Sequence, residues 1–265
     1  MNSIPSMNQI RDAFPSLSGE TILLENAGGS QVPLCVANAV RDHMLNDYVQ
    51  LGAGYPMSDR ATSTVDQAHA FVEALVNGTN TGTAILGSSC ISLTTMLSEC
   101  YGRIIQPGDE IILCQQGHEA NIGPWLHLEK YGAVIRWWNV DPETGSLDVD
   151  ALAKILNQRT RIVAFPQVSN LLGEIVDVRA VADVAHAHGA KVVVDGVAFA
   201  PHRPIDVEDL AADWYVYSTY KVYGPHMGAL WGRHDAIAEI DGPNHFFIPR
   251  DQAPYVFELG GASHE

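Results

Sequence analysis

Lys191-Val192-Val193-Val194-Asp195-Gly196 is the stretch on which the reading of this chain turns. Three β-branched residues in a row leave no polar face, so the segment reads as a strand covered on both sides. It ends on a carboxylate and then a glycine. Ile111-Ile112-Leu113 is a second run of the same kind. Helix-like segments alternate with these runs. Together they predict a three-layer α/β/α domain around a mostly parallel sheet.

Working outward, strands are expected at 22–24, 83–86, 110–115, 133–140, 161–167, 191–195, 214–218 and 229–231. Helices are expected at 33–50, 58–77, 89–105, 119–132, 148–157 and 178–188. Pro33 suits a first helical turn, and Ser58 or Asp59 suits an N-cap. Asp141-Pro142-Glu143-Thr144-Gly145 reads as a turn. In the pair Trp137-Trp138, one ring is expected in the core and the other at a surface or interface. No internal repeat, low-complexity tract or linker interrupts the pattern. The organisation expected is an N-terminal segment over 1–20 and one large domain over 21–265.

The 265 residues are enough for a large core, and a hydrophobic fraction of 46% excludes general disorder. A net charge of −16 argues against nucleic acid and against an anionic membrane surface as partners. No apolar stretch approaches the roughly 18 residues of a membrane span. The first residues lack the basic start and apolar run of a secretory signal. The four cysteines (Cys35, Cys90, Cys100 and Cys114) form no CxxC pair. That suits reduced thiols, hence a cytoplasmic location.

Ligands of open α/β sheets sit beyond the carboxyl ends of the strands. Asp195 stands at one such end. Lys221 closes a second run, Trp214-Tyr215-Val216-Tyr217-Ser218-Thr219-Tyr220-Lys221. A buried carboxylate and a buried amine on neighbouring strands suit pyridoxal phosphate. The amine makes the Schiff base, and the carboxylate keeps the pyridine nitrogen protonated. Lysine is scarce here; Lys130, Lys154 and Lys191 lie at margins typical of solvated lysines, and Lys221 does not. Gly87-Ser88-Ser89 follows an apolar run and opens a helix, which offers hydroxyls, backbone N–H groups and the positive dipole end to a phosphate. His118 is placed to stack on a planar ring. Asn170 follows Ala164-Phe165-Pro166-Gln167 and lies within reach of a ring hydroxyl. GxGxxG and GxxxxGK[ST] do not occur, and His118-Glu119 has no second histidine for a zinc motif, so no metal is expected.

In this order and spacing the segments resemble the aminotransferase class V group of fold-type I pyridoxal-phosphate enzymes, most of all its cysteine desulfurase and selenocysteine lyase branch. The resemblance covers nearly the whole chain. It rests on Leu24-Glu25-Asn26-Ala27-Gly28-Gly29-Ser30, Gly87-Ser88-Ser89, His118-Glu119-Ala120-Asn121, Val168-Ser169-Asn170-Leu171-Leu172-Gly173, Asp195-Gly196 and Ser218-Thr219-Tyr220-Lys221. It implies Lys221 and His118 as catalytic residues. It implies Ser88, Ser89, His118, Asn170, Asp195, Ser218 and Lys221 as the cofactor cradle, and places Ala27 and Gly28 beside the substrate. An amino-acid substrate and a homodimer follow from the same resemblance.

There are departures from the family. Ala198 stands where glutamine is frequent, Tyr220 where histidine precedes the lysine, and Gly261 where threonine is usual. The chain closes on Phe257-Glu258-Leu259-Gly260-Gly261-Ala262-Ser263-His264-Glu265, in which Gly260-Gly261 followed by polar residues reads as a loop opening a further segment. A truncated chain without the family's small C-terminal domain is therefore expected. Two other readings stay open. One is a fold that binds cofactor without turnover; the other is an α/β nucleotide-binding domain.

Overall fold

The computed structural model describes residues 5–261. In chain order the elements are α1 (Met7–Asp12), α2 (Leu34–Asn46), α3 (Pro56–Leu75), β1 (Gly82–Gly87), α4 (Cys90–Gly102), β2 (Glu110–Cys114), α5 (Gly123–Leu126) and β3 (Val134–Trp138). They continue with α6 (Val149–Ile155), β4 (Thr160–Pro166), α7 (Val178–His186), β5 (Lys191–Asp195), β6 (Trp214–Ser218), β7 (Gly228–Arg233) and α8 (His234–Ala238). Among the described residues seven strands form one sheet, ordered β1-β7-β6-β5-β4-β2-β3. Pairing from β3 through β2, β4 and β5 to β6 is parallel. Only β7 runs against its neighbours, β1 and β6.

The valine run behaves as its composition requires. Val192 and Val194 enter the core shared with α3, α6 and α7, while Val193 enters the core shared with α4, α5 and α8. Successive side chains of a strand point to opposite faces, so a run that is apolar throughout needs cover on both. Trp138 is buried and Trp137 is 42% exposed, which divides the pair between core and surface.

Several expectations change. Neither Ser58 nor Asp59 caps α3, which starts at Pro56 with Tyr55 in the N-cap position. Residues 22–24 form no strand; Ile22 and Leu24 are 82% and 91% exposed, and no strand of the described chain pairs with them. The helix expected over 119–132 is broken into a 3-10 turn at 119–121, the short α5 and a second 3-10 stretch at 127–131. Pro124 has no N–H to continue a helix from upstream, so the chain restarts there in a first-turn position. Helix α1 went unread, although Ser6 and Gln9 form a capping box at its start. Lys191 is not a solvated lysine. Its ammonium is 2.9 Å from Glu239 and 3.5 Å from Asp213, at the sheet end opposite the candidate site. Asp213 is fully buried there; it also accepts the Val192 N–H and pairs with His186 and Arg233.

Candidate active site

The carboxyl ends of the parallel strands bring Asp195, Ser218 and Gly87 to one edge of the sheet, and antiparallel β7 starts there with Gly228. Asp195 is buried, and its Oδ1 accepts the Val197 N–H at 2.9 Å. Gly196 follows because a Cβ there would run into the Tyr215 ring. Burial is the largest influence on the Asp195 carboxyl and pushes it above the ordinary range. The Val197 amide pulls it back, and so does the charge of Lys221.

Lys221 does not close the strand, as the sequence suggested. β6 stops at Ser218, whose partner Gly228 is the first residue of β7, and Thr219–Lys221 forms a 3-10 turn. Thr219 holds that turn, donating from its hydroxyl to the Pro225 carbonyl at 2.5 Å and from its N–H to the Met227 carbonyl at 3.0 Å, and accepting the Gly224 N–H on its own carbonyl. The amine is lifted over the sheet edge and is half-buried rather than buried. Ser30 straps the N-terminal segment to this turn. Its N–H and hydroxyl both donate to the Tyr220 carbonyl, at 2.8 and 2.9 Å, and its hydroxyl accepts the Tyr223 N–H. Gly29 makes the approach possible with φ +131°, its Cα facing the Tyr220 ring.

Ser89 is the N-cap of α4. Its Oγ accepts the Ser92 N–H at 3.1 Å, and Ser92 Oγ accepts the Ser89 N–H at 3.0 Å. This closed cap leaves the next backbone amides of the first turn facing outward, as at any helix N-terminus. Ser88 is exposed and donates to Ser92 Oγ. Cys90 is buried with its Sγ 3.0 Å from Ser218 Oγ. Burial pushes its thiol up to about 12, against a smaller opposing effect of the Ser218 contact. No sequence pattern signals this contact, because a small apolar-looking residue in a first helical turn carries none.

Gly228 makes the junction possible, since a Cβ at that position would meet the Ser89 and Cys90 backbone within 3 Å. Gly228→Ala is expected to push the α4 N-terminus away from β7. The cost should be about 1–3 kcal/mol of stability, the range for overpacking, and urea melts would measure it. Unchanged stability would mean that the junction is loose.

His118 caps the 3-10 turn at 119–121. Its Nδ1 accepts the Ala120 N–H at 3.1 Å, so Nε2 carries the ring proton. Asn170 sits in a loop closed by the Val168–Ile175 bridge and by Ser169 Oγ, which accepts the N–H groups of Leu171 and Leu172. His118 and Asn170 are both exposed.

One cavity of about 280 Å³ draws these pieces together: Ser89, His118, Asn170, Asp195, Ser218 and Lys221 line it, with Ala27. Ser88 and Gly28 lie outside its lining, whereas Cys90, Ala198 and Tyr220 belong to it. Among the described residues no group of three or more His, Cys, Asp or Glu is arranged to hold a metal ion. Nor is any helix long and apolar enough to cross a membrane.

The chain is 40% identical to the aminotransferase-like protein FGM3 of Gibberella zeae, over 98% of this chain and 66% of that protein. It is 33% identical to a cysteine desulfurase of Pectobacterium atrosepticum, over 87% of this chain and 59% of the other. It thus spans about two thirds or less of the length of these curated relatives. Among solved structures it superposes on the Escherichia coli cysteine desulfurase CsdA with a TM-score of 0.84 and 28% identity, covering 98% of this chain and 68% of that one. Residues 22–245 match the aminotransferase class-V family, and with the sheet order and the relatives just described this chain belongs to it.

Proposed function

We propose that this chain carries the cofactor-binding part of a pyridoxal-phosphate-dependent enzyme acting on an amino acid, with desulfuration of cysteine as the reaction class. The observation that carries the reading is the single cavity on which a buried carboxylate, an amine, an imidazole and two hydroxyls stand together. Relatives named as cysteine desulfurases support the reaction class.

The donor set fits the cofactor. Asp195 is a buried carboxylate without an ion-pair partner among the described residues, which a cationic ring nitrogen would supply. Lys221 makes no ion pair among the described residues, so its amine is not tied up. Ser89 and Ser218 flank the positive end of α4, where a phosphate is favoured. Bound there, pyridoxal phosphate supplies an electron sink for charge developing at the Cα of an amino acid.

The roles of the side chains follow. Asp195 holds a proton on the ring nitrogen. Lys221 attaches the cofactor and then moves a proton at Cα through Nζ. His118 covers the ring face, and its Nε2–H is turned away from the capping bond made by Nδ1. Asn170 donates toward the ring hydroxyl without help from position 198, where alanine has no polar atom.

Purified chain mixed with pyridoxal phosphate is expected to develop a visible absorbance band. Borohydride should bleach the band and leave the pyridoxyl mass on the peptide containing Lys221. Absence of a band would end the cofactor reading. A band without sulfide release from cysteine would keep the cofactor and remove desulfuration by this chain.

A further inference from the structure

Among the described residues β1 is an edge strand, paired only with β7. Alternate N–H groups of an edge strand point away from the sheet and need other acceptors. Two carboxylates meet them here. Glu73 of α3 accepts the Ala84 N–H at 3.1 Å, and Glu258 accepts the Leu86 N–H at 2.7 Å. Glu258 comes from the far end of the described chain and is 3% exposed. The same Oε1 lies 2.7 Å from His69 Nε2, while Oε2 is buried with no hydrogen-bond partner among the described residues. His69 Nδ1 faces the Val65 carbonyl at 2.9 Å. Asn244 secures the segment by donating to the Tyr255 and Glu258 carbonyls, and the Tyr255 ring stands edge-on to His69.

A buried carboxylate with one oxygen unpaired is a costly way to cap a strand, for which an amide or hydroxyl would serve. Its placement has a different consequence. Leu86 is the residue before Gly87-Ser88-Ser89, so the capped amide fixes where that turn begins. We propose that His69 and Glu258 form a clamp that sets the phosphate-side turn, and so act as positioning residues for the phosphate of the cofactor; this rests on the pyridoxal reading above.

Both ring nitrogens of His69 face acceptors, so the ring satisfies both only as the imidazolium. The charged groups facing it are Glu258 from the C-terminal segment and Glu73 from its own helix, both acidic; Tyr255 and Asp66 lie at the outer edge. Burial lowers the His69 value, but the Glu258 bond and charge, the Val65 carbonyl and Glu73 together raise it above the ordinary imidazole range. A raised value means the clamp is complete below that ordinary range and released as pH rises through the raised one.

The test titrates cofactor-free protein by absorbance, separately with pyridoxal 5′-phosphate and with pyridoxal, which lacks the phosphate. Glu258→Ala is expected to weaken pyridoxal 5′-phosphate binding about tenfold, the size of one hydrogen bond to a charged group, and to leave pyridoxal binding unchanged. Glu258→Gln keeps an acceptor for Leu86 and for the His69 Nε2–H but removes the negative charge that favours the imidazolium. It should move the alkaline loss of affinity, which the clamp predicts for the wild type above the ordinary imidazole range, to lower pH, and it carries the test if the alanine variant does not fold. Amide exchange in the peptide spanning Leu86 should quicken in cofactor-free Glu258→Ala. Equal losses for both ligands, or affinities equal to wild type at every pH, would overturn the clamp. A wild type that takes up neither ligand would instead overturn the pyridoxal reading, and the amide exchange would still judge the clamp.

Discussion

Lys221→Ala protein is expected to take up pyridoxal phosphate without the wild-type absorbance band and to turn over its amino acid at least about 10³-fold more slowly. Proton transfer by a positioned side chain alone is worth about 10²–10⁴, and this amine is also the proposed point of attachment. No neighbour can replace it. Lys130 is paired with Glu99, and Lys191 is held by Asp213 and Glu239 at the far end of the sheet. Lys221→Arg separates the two uses of the residue, because it keeps the positive charge beside Asp195 but does not deprotonate in proteins. Both variants should lose the band and the activity alike. Arginine activity within about tenfold of wild type would mean that the site needs only a cation at this position. That outcome would remove Lys221 from the chemistry.

Much of this arrangement was legible before any geometry. The unbroken apolar runs announced strands buried on both faces, and Val192, Val193 and Val194 divide between the two cores as such a run must. Position at the end of a run marked Asp195, and the Gly87-Ser88-Ser89 turn marked the start of α4. Local pattern failed where a tertiary partner decides. Ile22-Leu23-Leu24 has strand-like composition, but a strand requires a partner, and none is present among the described residues. Lys221 looked like a strand end because its apolar neighbours continue past Ser218. What stops β6 is its pairing with Gly228 and the Thr219 bonds to the far side of the loop. The contacts of Cys90, Ser30 and Glu258 were not legible. Each acts through a contact more than a hundred residues away in sequence, and no periodicity encodes such a pairing.

Asp195→Asn is expected to separate stability from function. In the cofactor-free chain the wild-type carboxyl sits above its ordinary value because burial outweighs the Val197 amide and the charge of Lys221. A folded-state value raised above the unfolded one means that the folded chain loses stability as pH rises through it. The penalty is absent below the unfolded carboxyl's value, about 3.9. Asparagine is nearly isosteric and carries no such penalty. Cofactor-free Asp195→Asn should therefore melt above cofactor-free wild type at pH 7, and the gap should close as pH falls toward 4. With cofactor present the order should reverse. A carboxylate about 4 Å from a cationic ring nitrogen interacts by about 4 kcal/mol at an effective dielectric near 20, so turnover should fall by about 10³. Burial of a costly charge is then explained by what it holds rather than by the fold, the usual trade between stability and activity at a working site. A variant that melts below wild type in both states would make Asp195 a structural carboxylate that caps Val197. Turnover within tenfold of wild type would show that the ring nitrogen needs no anion here.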